Sequence, residues 1–472
     1  MRKIILFVII ISSLFQAQDV LAQGYKIKVQ MKNSPDSIMY LVNYNGDKQY
    51  IKDTVPNQGN GVFIFEGDEK LPKGIYLAVR QDKNYFEFLV ADDQQFSLTT
   101  SYDNMVEEMK VKGSKENSHF YKFLHYSSPK NQTVVELRNQ IKGLSVNDSI
   151  KKENLQNKLD SLNQLITSYK QDFIKNNPES FMARIYQASR DPEVPDAPDN
   201  LSDDEKKEWQ YNYFVTHYFD NLDLSSEVML HTPVLHQRVS NFINNVVIQD
   251  PDSIIKAADR LMKMANENEE VTRYLTWYLT YNAEQSDIMG MDKVFVHMAD
   301  NYFGKEKTPW VSKKVLKNIK NRANKLRNIL IGKKAPNMLL MDTSGNPVAL
   351  HSVKSKYLVL YFWEPDCGHC QRQTPKLKRL YKDYKDKGVK VYAVCIDRKN
   401  PGKWKKYIQK HNLEWINVYD GKQWTSFHNL YDIIATPTIF LLDKDKKILA
   451  KRINPKQLRK FLEREMEADQ NE

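Results

Sequence analysis

Cysteine is nearly missing from this chain: 472 residues contain three. Two of them, Cys367 and Cys370, are separated by two residues, and a bond across so short a loop stabilises little, which argues against a disulfide-stapled scaffold. The chain also lacks a second Cys/His pair at ligand spacing, so Cys367-Gly368-His369-Cys370 has no partners for a four-ligand zinc site and no metal is expected. Long apolar runs are missing as well. The stretch from Ile4 to Leu14, interrupted by Ser12 and Ser13, is well short of the about 20 residues that span a bilayer. No basic cluster interleaved with aromatics occurs, so no nucleic-acid partner is expected. The excess of Lys plus Arg over Asp plus Glu, 70 against 59, is spread along the chain and reads as a solvated basic exterior.

What the N-terminus has is a leader pattern. Arg2 and Lys3 form a basic start, the apolar stretch follows, and Val20-Leu21-Ala22 offers a small-residue cleavage site before Gln23. Residues 1–22 therefore read as a secretory signal peptide cleaved after about Ala22, rather than an uncleaved anchor, which makes the expected location the periplasm. No cysteine follows the apolar stretch, so the lipoprotein route to anchoring is closed. The remaining 450 or so residues are too many for one core, and two to four domains are expected.

Residues 23–113 alternate in short apolar and polar steps, as in Tyr25-Lys26-Ile27-Lys28-Val29 and Tyr85-Phe86-Glu87-Phe88. Turn clusters such as Asn45-Gly46-Asp47 separate the runs. Regular short strands of this kind indicate a β-sandwich. From 114 to 330 the period becomes helical. Leu155, Leu159, Leu162, Ile166, Tyr169 and Phe173 form one stripe on a long helix, read as core or a helical hairpin in preference to a coiled coil. Asp191 to Asp204 is an exposed loop between helical groups. His217, His231, His236 and His297 invite a metal reading, but none pairs with another on one helix face, and they are read as structural.

Residues 331–472 alternate strands and helices, the pattern of βαβ crossovers and a mainly parallel α/β sheet. A hairpin over Met338–Leu350 precedes the apolar strand Tyr357–Trp363, which is expected to be buried on both faces. That strand stops at Cys367-Gly368-His369-Cys370, where a helix begins. A Cys at a helix start has its thiolate favoured by unpaired backbone N–H groups and the helix dipole, and a second thiol three residues on can resolve a mixed disulfide. Those residues name a reaction, thiol–disulfide exchange. Cys395, mid-strand, reads as a small core residue.

The strand ending in Phe362-Trp363, the Cys-Gly-His-Cys motif, Pro375 and Ala435-Thr436-Pro437-Thr438 together resemble thioredoxin. Gly332-x-x-Ala335-Pro336 and the hairpin with Gly345 are similar to the exported TlpA/ResA-type thiol:disulfide oxidoreductases. The resemblance covers about 140 residues. The β and helical domains also resemble two uncharacterised domains preceding this module in exported Bacteroidetes proteins, and their own partner stays unknown. The resemblance implies a thioredoxin-like fold, with Cys367 as attacking thiolate, Cys370 as resolving thiol and His369 as a positive charge beside the thiolate. It also implies a cis Pro437 against the dithiol, Trp363 and Thr436 contacting substrate, and no cofactor beyond the Cys367–Cys370 disulfide.

The sequence departs from the family where Tyr361 replaces thioredoxin's buried acid and Gln373 a Glu common in the exported reductases, with Glu364 and Asp366 as the nearby carboxylates. The expected enzyme is an exported protein-thiol oxidoreductase, running as a reductase fed by a membrane thiol donor and acting on envelope proteins. Two alternatives stay open. One is a peroxiredoxin-like peroxidase, although Glu364 stands where peroxidatic sites carry Thr; the other is an envelope binding protein using the fold as a docking module.

Overall fold

The computed structural model describes residues 24–145, 148–265, 268–397, 400–420 and 426–471; the leader read over 1–22 and its cleavage point lie outside them. The chain divides into two compact units, one ending at Phe242 and the other beginning at Ile243, so the helical region contributes to both.

In the first unit, alternation builds two sheets. Along β1 (Tyr25–Lys32), Ile27, Val29 and Met31 turn inward while Lys26, Lys28 and Lys32 face solvent. With β2 (Ile38–Asn45), β3 (Lys48–Pro56), β4 (Val62–Gly67), β5 (Gly74–Val79), β6 (Tyr85–Val90), β7 (Gln95–Ser101) and β8 (Lys110–Lys112) it forms two four-stranded sheets, ordered β4-β1-β7-β8 and β3-β2-β5-β6. Phe63, Phe65 and Leu98 of one sheet meet Met39, Leu41, Phe86 and Phe88 of the other in a single core, which makes the pair a β-sandwich.

The chain then enters α1 (Lys115–Lys142), where Ser114 accepts from the Asn117 N–H as N-cap, and returns in α2 (Ser149–Asn176). Leu137 of α1 packs with Leu155 and Leu159 of α2, so the apolar stripe closes a helical hairpin. α3 (Phe181–Ala188), α4 (Asp203–His217), which Ser202 and Glu205 open as a capping box, and α5 (Pro233–Asn241) complete the unit.

The second unit joins four helices to the C-terminal sheet. α6 (Pro251–Met264), α7 (Glu269–Gln285), α8 (Asp292–Asn301) and α9 (Lys313–Arg327) precede a seven-stranded sheet. Its strands and helices run β9 (Leu339–Asp342), β10 (Pro347–Ala349), β11 (Tyr357–Trp363), α10 (Gly368–Tyr384), β12 (Val389–Cys395), α11 (Pro401–His411), β13 (Ile416–Tyr419), α12 (Phe427–Leu430), β14 (Thr438–Leu442), β15 (Ile448–Lys451) and α13 (Pro455–Asn471).

The sheet order is β10-β9-β13-β12-β11-β14-β15. Parallel pairing is confined to β11, β12 and β13; the hairpins at both ends add antiparallel strands, so the sheet is mixed where a mainly parallel one was expected. Every residue of β11 is buried, as a strand covered by helices on both faces must be.

Helices and sheet are bonded through Lys451 at the end of β15. Its ammonium is buried, donates to the Asp292 carboxylate of α8 and lies 2.6 Å from the Ile329 carbonyl. A buried cation needs such partners, because its desolvation is otherwise uncompensated. Among the described residues no helix is long and apolar enough to cross a membrane.

Candidate active site

Cys367 is the N-cap of α10, following directly on the buried strand β11 and a short turn. Its backbone is extended (φ −78°, ψ 116°), and its sulfur accepts from the Cys370 N–H at 3.4 Å, the place a Ser or Asp side chain usually fills. The thiol thus sits where the first N–H groups of a helix point, with Cys367 half-buried and Cys370, one turn in, buried. All three cysteines are free thiols.

The two thiols are driven apart electrostatically. Partial burial works to raise Cys367, but the Cys370 N–H, Thr436, the Cys370 thiol and the His369 N–H favour its thiolate, and its pKa falls below the ordinary thiol value. Burial pushes Cys370 up to about 12, outweighing the backbone of Glu364 and the side chain of Thr436. The thiolate is thus favoured at Cys367 and disfavoured at Cys370.

The loop before β14 closes the site. The Thr436–Pro437 peptide bond is cis, the Cys367 thiol lies 3.5 Å from the Thr436 carbonyl oxygen, and the Thr436 hydroxyl donates to Glu364 Oε1 at 2.9 Å. Pro437, Ile434, His369 and Gln373 line a groove of about 480 Å³ beside the dithiol. Cys367, Cys370, Thr436 and Pro437 are therefore brought together across about seventy residues of chain.

His369 and Trp363 have different surroundings, and for Trp363 the expected role changes. His369 is exposed, and the Arg372 guanidinium lies 2.9 Å from its Nδ1. The His369 backbone N–H is among the groups that favour the Cys367 thiolate. Trp363 has no exposed surface, so it presents nothing to a substrate. It stacks parallel to Tyr361, with ring centroids 6.2 Å apart, as part of the floor under the dithiol. A run of seven apolar residues signalled that burial, and the expected contact came from the resemblance alone.

Other neighbours were not legible in the sequence. The Tyr361 hydroxyl lies 2.8 Å from Thr374 Oγ1, which donates to the Cys370 carbonyl at 2.8 Å, so a chain of neutral hydroxyls fills the place of the buried acid. Burial raises the Tyr361 pKa further, which leaves it unsuited to remove the Cys370 proton. Asp366, beside Cys367, is exposed and neutralised by Lys403 of α11 at 2.7 Å. Cys395 is buried at the end of β12, its thiol pushed up to about 12 by burial. Among the described residues no group of three or more His, Cys, Asp and Glu side chains converges as a metal site would.

A dithiol at the start of a helix, one thiol activated and the other buried, facing a cis-proline loop where two inner strands of a thioredoxin-type sheet end and begin, defines a thiol–disulfide exchange enzyme. The family described as AhpC/TSA matches residues 331–451, and two domains of unknown function match 25–120 (DUF4369) and 148–328 (DUF5106). The thiol-disulfide oxidoreductase ResA of Bacillus cereus is 33% identical over 123 residues, which is 26% of this chain and 69% of that protein. Through that C-terminal domain the chain belongs to the ResA-type thiol-disulfide oxidoreductases. It is also similar to a solved domain of a possible thiol-disulfide isomerase from Cytophaga hutchinsonii, at 43% identity, 30% of this chain, 97% of that one and a TM-score of 0.29. A thioredoxin-like protein from Bacteroides caccae matches at 23% identity, 57% of this chain, 97% of that one and a TM-score of 0.45.

Proposed function

We propose that the chain is exported to the periplasm and reduces disulfides of envelope proteins, drawing electrons from a membrane thiol donor and using no cofactor beyond its own cysteine pair. The observation that carries this reading is the asymmetry of the two thiols, one below and one well above the ordinary value. The Cys367 thiolate attacks a substrate disulfide, forming the Cys367–substrate bond as the substrate S–S bond breaks and one substrate thiolate leaves to take up a proton. Cys370 then loses its proton and attacks Cys367, forming the Cys367–Cys370 disulfide and releasing the second substrate thiol. Two electrons pass to the substrate, and a donor dithiol must restore the pair.

Roles of Pro437 and Thr436 in aligning an extended substrate strand belong to the same proposal. The test is the reduction potential of the Cys367–Cys370 pair in defined redox buffers. A value near about −270 mV supports a reductase, and one between about −120 and −180 mV would make it an oxidase or isomerase.

A further inference from the structure

The loop that carries Thr436 and Pro437 is tied down residue by residue. Tyr431 is buried with its hydroxyl donating to the Pro336 carbonyl; His428 Nδ1 lies 3.2 Å from the Ile433 carbonyl; Thr438 Oγ1 donates to the Ala435 carbonyl at 2.7 Å. Each of these partners lies within 331–472. Asp432 is different. Its carboxylate is buried, and while Oδ2 accepts from Arg452 Nη2 at 2.5 Å, Oδ1 accepts from Arg322 Nη1, on α9 of the helical segment. Among the described residues Arg322 is the hydrogen-bonded or ion-paired tie that reaches this loop from outside the thioredoxin-like domain.

The Arg322 guanidinium is itself held, with Nε 3.6 Å from Glu284 Oε1 of α7. Two arginines and two carboxylates thus alternate from α7 through α9 to the loop and on to Arg452. Both members of the inner pair have left-handed backbones, Asp432 at φ +51° and Arg452 at φ +56°, a conformation that residues with a Cβ adopt at a cost. Contacts must hold them there. Asp432 and Arg452 also line the groove beside the dithiol together with His369 and Gln373, and Ile434 of the loop is largely exposed.

We propose that the helical segment is a working part of the redox site: Arg322 is a positioning residue that, through Asp432, sets the loop carrying Thr436 and Pro437 and the groove that this loop lines. The proposal rests on the thiol–disulfide exchange reading and says what the helical segment adds to it. A protein substrate must lie along the loop for its disulfide to reach Cys367 in line, and displacement of a positioning element by an ångström is costly in rate. A small disulfide needs only to meet the thiolate. The helical segment therefore acts on substrate binding more than on the chemistry of the cysteines.

The experiment compares the full-length protein with Arg322→Ala, Arg322→Lys and, as a control on the same helix as Arg322, Arg327→Ala, which breaks an exposed ion pair with Asp300 of α8. Reduction of insulin is followed for KM and kcat, and dithiobis-nitrobenzoate reports on Cys367. Hydrogen exchange is measured at the amides of Asp432 to Thr436. Expected for Arg322→Ala is an insulin KM raised about five- to tenfold with kcat changed much less, together with faster exchange in the loop. Arg322→Lys, which keeps the charge and loses the fork, should fall between, and Arg327→Ala should match wild type. In an Asp432→Asn background Arg322→Ala should have little further effect.

Equal KM values and unchanged loop exchange in Arg322→Ala would overturn the proposal, as would a loss of activity that merely follows the folded fraction. Failure of the wild-type protein to reduce dithiobis-nitrobenzoate would instead remove the exchange reading on which it rests. Should Arg322→Ala not fold, Arg322→Lys and the Asp432→Asn background carry the same test.

Discussion

Glu364 and Thr436, seventy-two residues apart in sequence, are joined by a hydrogen bond of 2.9 Å from the threonine hydroxyl to the carboxylate. The bond fastens the turn before Cys367 to the residue before Pro437, so the two halves of the site share one fixed distance. Glu364 also occupies the place where a peroxidatic site would carry Thr. A hydrogen bond to a charged acceptor contributes about 1.5–3 kcal/mol, and Glu364→Ala is expected to lose an amount of that order in urea unfolding and to slow insulin reduction. Glu364→Gln keeps an acceptor and should recover most of the stability. Equal stability of wild type and Glu364→Ala would count against a fastening role.

Selective alkylation tests the thiol asymmetry. Iodoacetamide at neutral pH should label Cys367 and spare Cys370 and Cys395, whose thiols burial pushes up to about 12. The rate at Cys367 should rise with pH through an inflection below that of a free cysteine, about 8.5. Mass spectrometry of labelled peptides gives the site, and comparable labelling of Cys370 would contradict the burial argument.

The buried thiols also set a pH dependence of stability. Cys370 and Cys395 keep their protons to higher pH when folded than when unfolded, so between about 8.5 and 12 the native state binds more protons than the unfolded state. Stability of the reduced protein is therefore full below about pH 8.5 and declines as pH rises through that window. Denaturant melts of the reduced protein across the range measure it, and a flat profile would contradict it.

Lys403 masks a charge that would oppose catalysis. Its ammonium lies 2.7 Å from Asp366, the residue before the nucleophile. Lys403→Ala leaves that carboxylate bare beside the thiolate, so the Cys367 pKa should rise and its reaction at neutral pH should slow, most at low salt. Because the pair is exposed, the melting temperature should hardly move. A pH–rate profile identical to wild type would mean the charge is already screened.

Cys370→Ala removes the resolving thiol, and mixed disulfides with substrate proteins should accumulate on Cys367, visible on non-reducing gels and absent from a Cys367→Ala/Cys370→Ala control. The wild-type protein should not consume hydrogen peroxide at a catalytic rate. Peroxide turnover by Cys370→Ala would move the chain to the peroxidase side of its fold.

Much of this was written in local order. The alternation of Tyr25-Lys26-Ile27-Lys28-Val29 could only place Ile27 and Val29 on one face, and the uninterrupted Tyr357–Trp363 could only be a strand covered on both sides. The Cys-x-x-Cys after such a strand likewise names thiol exchange, because helix starts favour thiolates wherever they occur. β3 escaped notice because both its faces are largely exposed and Lys48-Gln49-Tyr50-Ile51-Lys52 carries no apolar period; its partner β2 holds it by backbone bonds that any sequence supplies.

The chain by itself determined the class of chemistry and which cysteines stand at the helix start, since strand, turn, helix start and the spacing of two cysteines are properties of a few adjacent residues. Only the tertiary structure decided which charges reach them. It set Arg372 on His369, Lys403 on Asp366 and, across 110 residues, Arg322 on Asp432. A charge pairs with whatever folding brings within a few ångströms, and sequence separation carries no record of that distance.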